Sequence, residues 1–155
     1  MKKFLLIIIL FSVTQLSAQC ISGNCNNGYG AQKYKDGTLY IGNWWNGVPS
    51  GKGTLVWDDG TIYVGDFVKG LYDGEGTLFS RENLYIGEFD KNAPDGSGTL
   101  FMKSGEMYVG GFQEGYMTGQ GFLHHQNGTL EEALWKKGVP EGKIVQKNSQ
   151  HILRK

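Results

Sequence analysis

The stretch Gly51-Lys52-Gly53-Thr54-Leu55-Val56-Trp57-Asp58-Asp59-Gly60-Thr61-Ile62-Tyr63-Val64-Gly65-Asp66-Phe67 decides the fold, because the chain repeats its plan. It reads as Gly-x-Gly, a run of strand formers, a turn, and Tyr-x-Gly-x-aromatic. Gly-x-Gly pairs open at Gly28, Gly51, Gly74, Gly96 and Gly119, in steps of 23, 23, 22 and 23 residues. The aromatic runs are Tyr40-Ile41-Gly42-Asn43-Trp44, Tyr63-Val64-Gly65-Asp66-Phe67, Tyr85-Ile86-Gly87-Glu88-Phe89 and Tyr108-Val109-Gly110-Gly111-Phe112. Each of these tyrosines precedes the next Gly-x-Gly by 11 residues, so the short step lies where Arg81-Glu82-Asn83 replaces a Gly-containing turn. A fixed period of this size marks a repeat architecture.

The repeat explains the composition. Of 155 residues 25 are Gly, well above the usual proportion of about 7%. Collagen would need Gly at every third position with abundant Pro, and there are 3 Pro. A disordered low-complexity chain would lack aromatics, which here make up 13%.

The period holds two strands and two turns. Asp36-Gly37, Asp59-Gly60, Ser104-Gly105 and Asn127-Gly128 stand between alternating runs and read as tight primed hairpin turns. Asn92 stands where other units carry Gly47, Gly70, Gly115 and Gly138, and Asn tolerates a left-handed backbone. No run after the first residues sustains helical periodicity. The spacing predicts an all-β meander of about ten strands, near 30–35, 38–45, 53–58, 61–68, 76–81, 84–90, 98–103, 106–113, 121–126 and 129–136.

Alternation along a strand puts Tyr40, Gly42 and Trp44 on one face, with Leu55 and Trp57 in phase. A ladder of rings results, and each Gly within Tyr-x-Gly-x-aromatic leaves room for a ring from the neighbouring strand. The opposite face carries Leu39/Ile41, Ile62/Val64, Leu84/Ile86 and Met107/Val109, then turns acidic at Asp66, Glu88 and Asp90. A fifth unit reads as a cap, with Glu131 and Ala133 in place of Tyr and Gly while Trp135, Gly138 and Gly142 persist.

These residues resemble the MORN repeat (membrane occupation and recognition nexus): Tyr-x-Gly-x-Trp/Phe, a Gly five residues beyond the first, then Gly-x-Gly. The resemblance covers residues 28–142, about five repeats, with Tyr40, Gly42, Trp44, Tyr63, Gly65, Phe67, Tyr85, Gly87, Phe89, Tyr108, Gly110 and Phe112 as the defining positions. It implies an elongated, single, twisted antiparallel sheet of stacked β-hairpins that serves as a scaffold or docking surface.

The remaining segments are an address and two ends. Met1-Lys2-Lys3, the apolar run Phe4 to Val13 and the small residue Ala18 read as a signal peptide over residues 1–18. The apolar run is too short to span a bilayer, so the expectation is an exported protein, periplasmic or secreted. Residues 19–27 hold the only cysteines, Cys20 and Cys25, which are expected to pair as a disulfide in an oxidising compartment. Lipid anchoring through Cys20 is the rival reading, and Gln19 stands where that chemistry prefers a small residue. Residues 143–155 form a basic tail.

Charge and spacing narrow the function. Between Gly37 and Glu132 five basic residues face thirteen acids, a net −8, whereas the chain from Ala133 carries six bases and one acid, a net +5. An acidic array repels nucleic acid and anionic lipid, which leaves membrane contact weakly supported. Every Gly-x-Gly leads into another strand rather than a helix, so no phosphate cradle or cofactor site is expected. His124 and His125 point to opposite faces and cannot chelate together, and Asp58-Asp59-Gly60 reads as turn chemistry rather than calcium ligation, so no metal is expected. No nucleophile recurs with a base, so no catalytic residue, enzyme activity or small-molecule substrate is assigned. The expected function is a non-catalytic exported scaffold for a protein partner, docked on the sheet face or edge. The alternative is a glycan- or lipid-binding module that uses the ring ladder, with Phe67, Phe89 and Phe112 as its binding face; against it stands the favoured reading of the same rings as the core, because repeats must bury something.

Overall fold

The structure, a computed structural model, describes residues 19–148. Twelve strands run in sequence order through one antiparallel sheet. They are β1 (Gln19–Gly23), β2 (Gly28–Lys33), β3 (Leu39–Trp45), β4 (Val48–Val56), β5 (Ile62–Val68) and β6 (Leu71–Phe79). Then follow β7 (Asn83–Asp90), β8 (Ala93–Met102), β9 (Met107–Gln113), β10 (Tyr116–His124), β11 (Thr129–Lys136) and β12 (Val139–Asn148). The all-β meander is as expected, with two strands more than the expected ten. β1 is built from the cysteine-containing segment, and β12 draws residues 143–148 of the basic tail into the sheet. The leader read over residues 1–18 and the end of the tail lie outside the described residues.

The turns alternate in kind. Asn46-Gly47, Lys69-Gly70, Lys91-Asn92, Glu114-Gly115 and Lys137-Gly138 have positive φ at both positions, Asn92 at 74°. That pattern is the primed two-residue turn, whose twist matches the flanking strands. The Asp-Gly turns expected to be primed are a different class. Trp57 N donates to Thr61 O at 2.9 Å and Gly60 N to Trp57 O at 3.0 Å, which closes a three-residue loop with Gly60 left-handed at φ 87°. Asp59 Oδ1 accepts from Thr61 N at 2.8 Å and locks that loop. In the short unit Ser80 N donates to Asn83 O at 2.8 Å. Asn83 there belongs to β7 and has no positive φ, so this turn closes without the left-handed residue the Gly-containing turns use.

The two glycines of each Gly-x-Gly have different tasks. Registers shift between Gly42 and Trp44, Gly65 and Phe67, and Gly87 and Phe89. The first glycine sits in the resulting bulge, with Gly51 at φ 86° and Gly74 at φ 108°. This is why the even strands start earlier than expected: Gly-x-Gly lies within them, not ahead of them. Asp66 Oδ2 and Glu88 Oε1 plug the bulges by accepting from Glu75 N at 3.2 Å and Ser97 N at 2.9 Å.

The second glycine joins a row that crosses the sheet, Gly30, Gly42, Gly53, Gly65, Gly76, Gly87, Gly98, Gly110 and Gly121, each in register with the next. Over this row lies the core. Each tyrosine ring folds along its own strand, so a Cβ on Gly53 would meet the Tyr40 hydroxyl and, at 2.6 Å, its ring carbons, and one on Gly42 would meet the Tyr40 hydroxyl at 2.5 Å. The ring over the Tyr-x-Gly glycine therefore comes from its own strand, not the neighbouring one. Tyrosines alternate with the second aromatic in an unbroken edge-to-face zigzag from Trp44 through Tyr40, Phe67, Tyr63, Phe89, Tyr85, Phe112 and Tyr108 to Trp135, with centroids 4.9–5.3 Å apart. Each such contact contributes about 0.5–1.5 kcal/mol beyond its burial.

Both ends of the ladder are closed. Cys20 and Cys25 form the expected disulfide, and the Asn24–Cys25 backbone lies over Gly30, within 2.9–3.0 Å of where its Cβ would stand, in the place a ring occupies elsewhere. At the other end Glu131 and Ala133 take the Tyr and Gly positions and both are buried. Tryptophan stands at the two ends, where its indole donates to an extra carbonyl: Trp44 Nε1 to Gly30 O at 3.1 Å and Trp135 Nε1 to Gly121 O at 3.3 Å. Phenylalanine suffices between them. Neighbouring hairpins are also tied at the primed turns, where Gly70 N donates to Pro49 O and Gly115 N to Pro94 O, both at 2.8 Å.

Candidate functional site

The ring face is closed to ligands. Phe67, Phe89 and Phe112, read as a possible binding face, are 3–4% exposed and lie within the buried ring ladder. They are core because the tyrosines on either side of each pack edge-on against them. The tyrosine hydroxyls are also committed: Tyr40 Oη donates to Asn43 O at 2.9 Å and Tyr85 Oη to Glu88 O at 2.9 Å. Burial pushes the Tyr40 phenol up to about 12 and raises Tyr63 and Tyr85 as well, with the Asp66 and Glu88 carboxylates adding to the shifts of the latter two. These phenols stay neutral.

The opposite face is open. One row crosses it as Ile41, Thr54, Val64, Thr77, Ile86, Thr99, Val109 and Phe122, in register from strand to strand. Val64 is 50% exposed, Ile86 45% and Val109 38%; beside them Phe79 and Phe101 are 51% and 39% exposed. The backbone of the glycine row is the floor of a furrow next to this aliphatic wall. Two depressions of about 450 and 530 Å³ share Ile86 and run on from Tyr29 in β2 to Gln120 in β10. The far wall is polar, with Lys52, Glu75, Ser97 and Gln120.

Charge is uneven along that wall. Lys52 Nζ pairs with Asp66 Oδ2 at 2.7 Å. Glu75 and Glu88 stand directly opposite each other in register. The sequence signal for the furrow is the Thr that follows each interior Gly-x-Gly, at Thr54, Thr77 and Thr99. Periodicity alone places these residues on the non-ring face, without showing that glycine makes a trough beside them.

His125, which flanks the last three-residue loop, is held between two carboxylates. Its Nδ1 lies 2.9 Å from Glu106 Oε1 and its Nε2 3.1 Å from Glu131 Oε2, so it ties the last three-residue loop to the capping strand. Hydrogen bonds donated to the Glu131 and Glu106 carboxylates raise its pKa, and the same contact with His125 lowers that of Glu106. The histidine holds its proton more tightly folded than unfolded, so its stabilisation is complete below about pH 6.5 and is lost as pH rises through the higher folded value. Glu106 acts in the opposite sense, its stabilisation being lost as pH falls through a folded value below the usual carboxylate range. Wild-type protein is expected to melt at progressively lower temperature from pH 6 to pH 9, and His125→Gln to show a flatter dependence. Equal slopes by calorimetry would remove this role from His125.

The family model of the MORN repeat matches residues 40–62, 63–81, 85–107 and 108–130. No curated protein matches the chain. Among solved structures, the wild-type TCP10 domain of Danio rerio CPAP, in complex with a peptide of Danio rerio STIL, is similar at 12% identity with a TM-score of 0.44. The match covers 80% of this chain and 60% of that one, so the chain spans less than two thirds of its length.

Proposed function

This chain belongs to the MORN repeat family, and on that premise we propose that it is an exported, non-catalytic scaffold that docks a protein partner on the open face of its sheet. MORN repeats serve as protein and membrane interaction scaffolds. The observation that carries the reading is the split between the faces: the ring ladder is consumed as core, whereas Val64, Ile86, Val109, Phe79 and Phe101 remain exposed together on the other side. A contiguous exposed apolar strip on a soluble surface marks an interaction site. The acidic array favours a protein over an anionic lipid surface as occupant. The ring ladder offers no platform for glycan or lipid, because its rings are buried.

Export is supported by the leader pattern over residues 1–18 and by the Cys20–Cys25 disulfide, a bond that oxidising compartments favour. The test places a photoreactive residue at Val64 on the open face or at Val139 beside the last turn, in the full chain expressed in its own cells. The expected result is a mature N-terminus at Gln19 in the exported fraction, by mass spectrometry, with a discrete protein adduct from Val64. An unprocessed chain retained in the cytoplasm would overturn export, and the absence of adducts from both positions would overturn the scaffold.

A further inference from the structure

The furrow on the open face has a direction, a period and a charge, and together these specify an occupant. Resting on the scaffold reading, we infer that it seats a basic, proline-containing segment of a partner protein in the polyproline II conformation, one turn per repeat.

The direction excludes strand addition. The furrow runs across the strands from β2 to β10, and each of those strands is hydrogen-bonded to a neighbour on both sides. A segment lying there finds no free ladder of N–H and C=O groups, so a β-forming peptide would gain its backbone bonds only at an outer edge, β1 or β12. Polyproline II has no internal hydrogen bonds and keeps its backbone solvated, so it forgoes little in the furrow and loses little entropy on docking.

The period agrees. Each repeat advances by two strand spacings, about 9.6 Å, and one three-residue polyproline II turn advances by about 9.3 Å. A fully extended segment of three residues covers a similar distance but turns successive third residues to opposite sides. The wall presents one aliphatic side chain per repeat, Ile41, Val64, Ile86 and Val109. The same face of each polyproline II turn can therefore pack a proline ring against each of them in succession.

The charge selects a base. Glu75 and Glu88 oppose each other in register, but the Glu88 carboxylate is turned away onto β8. Lys52 is committed to Asp66, and Glu88 Oε1 accepts from Ser97 N. The Glu75 carboxylate has no hydrogen-bond or ion-pair partner among the described residues. An Arg or Lys seated in the furrow can pair with Glu75 within an array of net charge −8. The chain's own prolines, Pro49, Pro94 and Pro140, are built into β4, β8 and β12 beside the primed turns, so the occupant belongs to another protein.

The test measures fluorescence anisotropy of a labelled (Pro-Pro-Arg)4 peptide, which spans about four repeats, titrated with the disulfide-bonded chain lacking residues 1–18. Controls are (Gly-Gly-Arg)4, of equal charge, and (Pro-Pro-Glu)4. The expected result is binding at least about tenfold tighter than (Gly-Gly-Arg)4 and none of (Pro-Pro-Glu)4. Thr77→Trp, which fills the furrow, and Glu75→Lys should each weaken binding by about tenfold or more with an unchanged unfolding midpoint. If Thr77→Trp lowers that midpoint, Thr99→Trp serves in its place. Equal binding of (Pro-Pro-Arg)4 and (Gly-Gly-Arg)4, or full binding by the filled variant, would overturn the proposal. Photo-adducts at Val139 without peptide binding would sink the furrow while leaving the scaffold standing, and absence of adducts at every position would sink the scaffold itself.

Discussion

Gly76→Val is expected to abolish the cooperative melting of the array or to lower its midpoint by more than any surface change. A Cβ at Gly76 would stand 2.5–2.7 Å from the hydroxyl and ring carbons of Tyr63. That ring has no exposed surface and nowhere to retreat, being edge-on to Phe67 and Phe89 and stacked on Tyr72 at 3.8 Å. Overpacking a core costs about 1–3 kcal/mol, occasionally more; here the added atoms collide with a ring fixed on three sides, so a value at or above the upper end is expected. The matched control is Gly119→Ala. Gly119 has a left-handed φ of 65° but nothing within 4 Å of its Cβ position, so only the backbone penalty of about 1–2 kcal/mol applies. Thermal unfolding followed by circular dichroism separates the two. If Gly76→Ala proves as mild as Gly119→Ala, the glycine row is not required by the rings above it.

That contrast marks what could be read from the residue order and what could not. The period, the pairing of successive runs and the side taken by Tyr40, Gly42 and Trp44 all follow from spacing and alternation, because a strand has only two faces. The division of labour within Gly-x-Gly does not. Gly74 and Gly76 look alike in one dimension, yet Gly74 turns through φ 108° in a bulge and Gly76 lies flat beneath Tyr63. The distinction depends on the register shift between β5 and β6, which lies between the primed turn at Lys69-Gly70 and the Gly65–Gly76 pair. Asp59-Gly60 is ambiguous for a related reason: the dipeptide is compatible with either turn, and only the Trp57–Thr61 pairing fixes the count at three loop residues. The candidate sites divide in the same way. Phe67, Phe89 and Phe112 could be placed on a face and favoured as core, since a repeat must bury something, but their complete burial depends on how tightly adjacent repeats close up. The furrow was equally hidden, because a trough is made by absent side chains on one face beside present ones on the other.

Tyr85→Ala is expected to be the most costly truncation in the central repeats, and its interaction with Gly98 tests the construction directly. Tyr85 is 3% exposed and edge-on to Phe89 and Phe112, and its hydroxyl donates to Glu88 O. Removing a buried aromatic of this size costs about 3–5 kcal/mol, whereas Tyr85→Phe should forfeit only the hydroxyl bond, about 1 kcal/mol. Gly98→Ala alone must also be costly, because its Cβ would meet Tyr85 ring atoms and hydroxyl at 2.4–2.7 Å. In the Tyr85→Ala background that obstacle is gone and the methyl enters space the ring vacated. The double variant should therefore be little worse than Tyr85→Ala, a coupling of about 2 kcal/mol or more in a double-mutant cycle on denaturant unfolding. Additive losses would mean that Gly98 is held to glycine by its own backbone and not by the ring. Pairing Tyr85→Ala with Gly53→Ala instead should give near-additive losses, since the ring over Gly53 is Tyr40 and repeats touch only their neighbours.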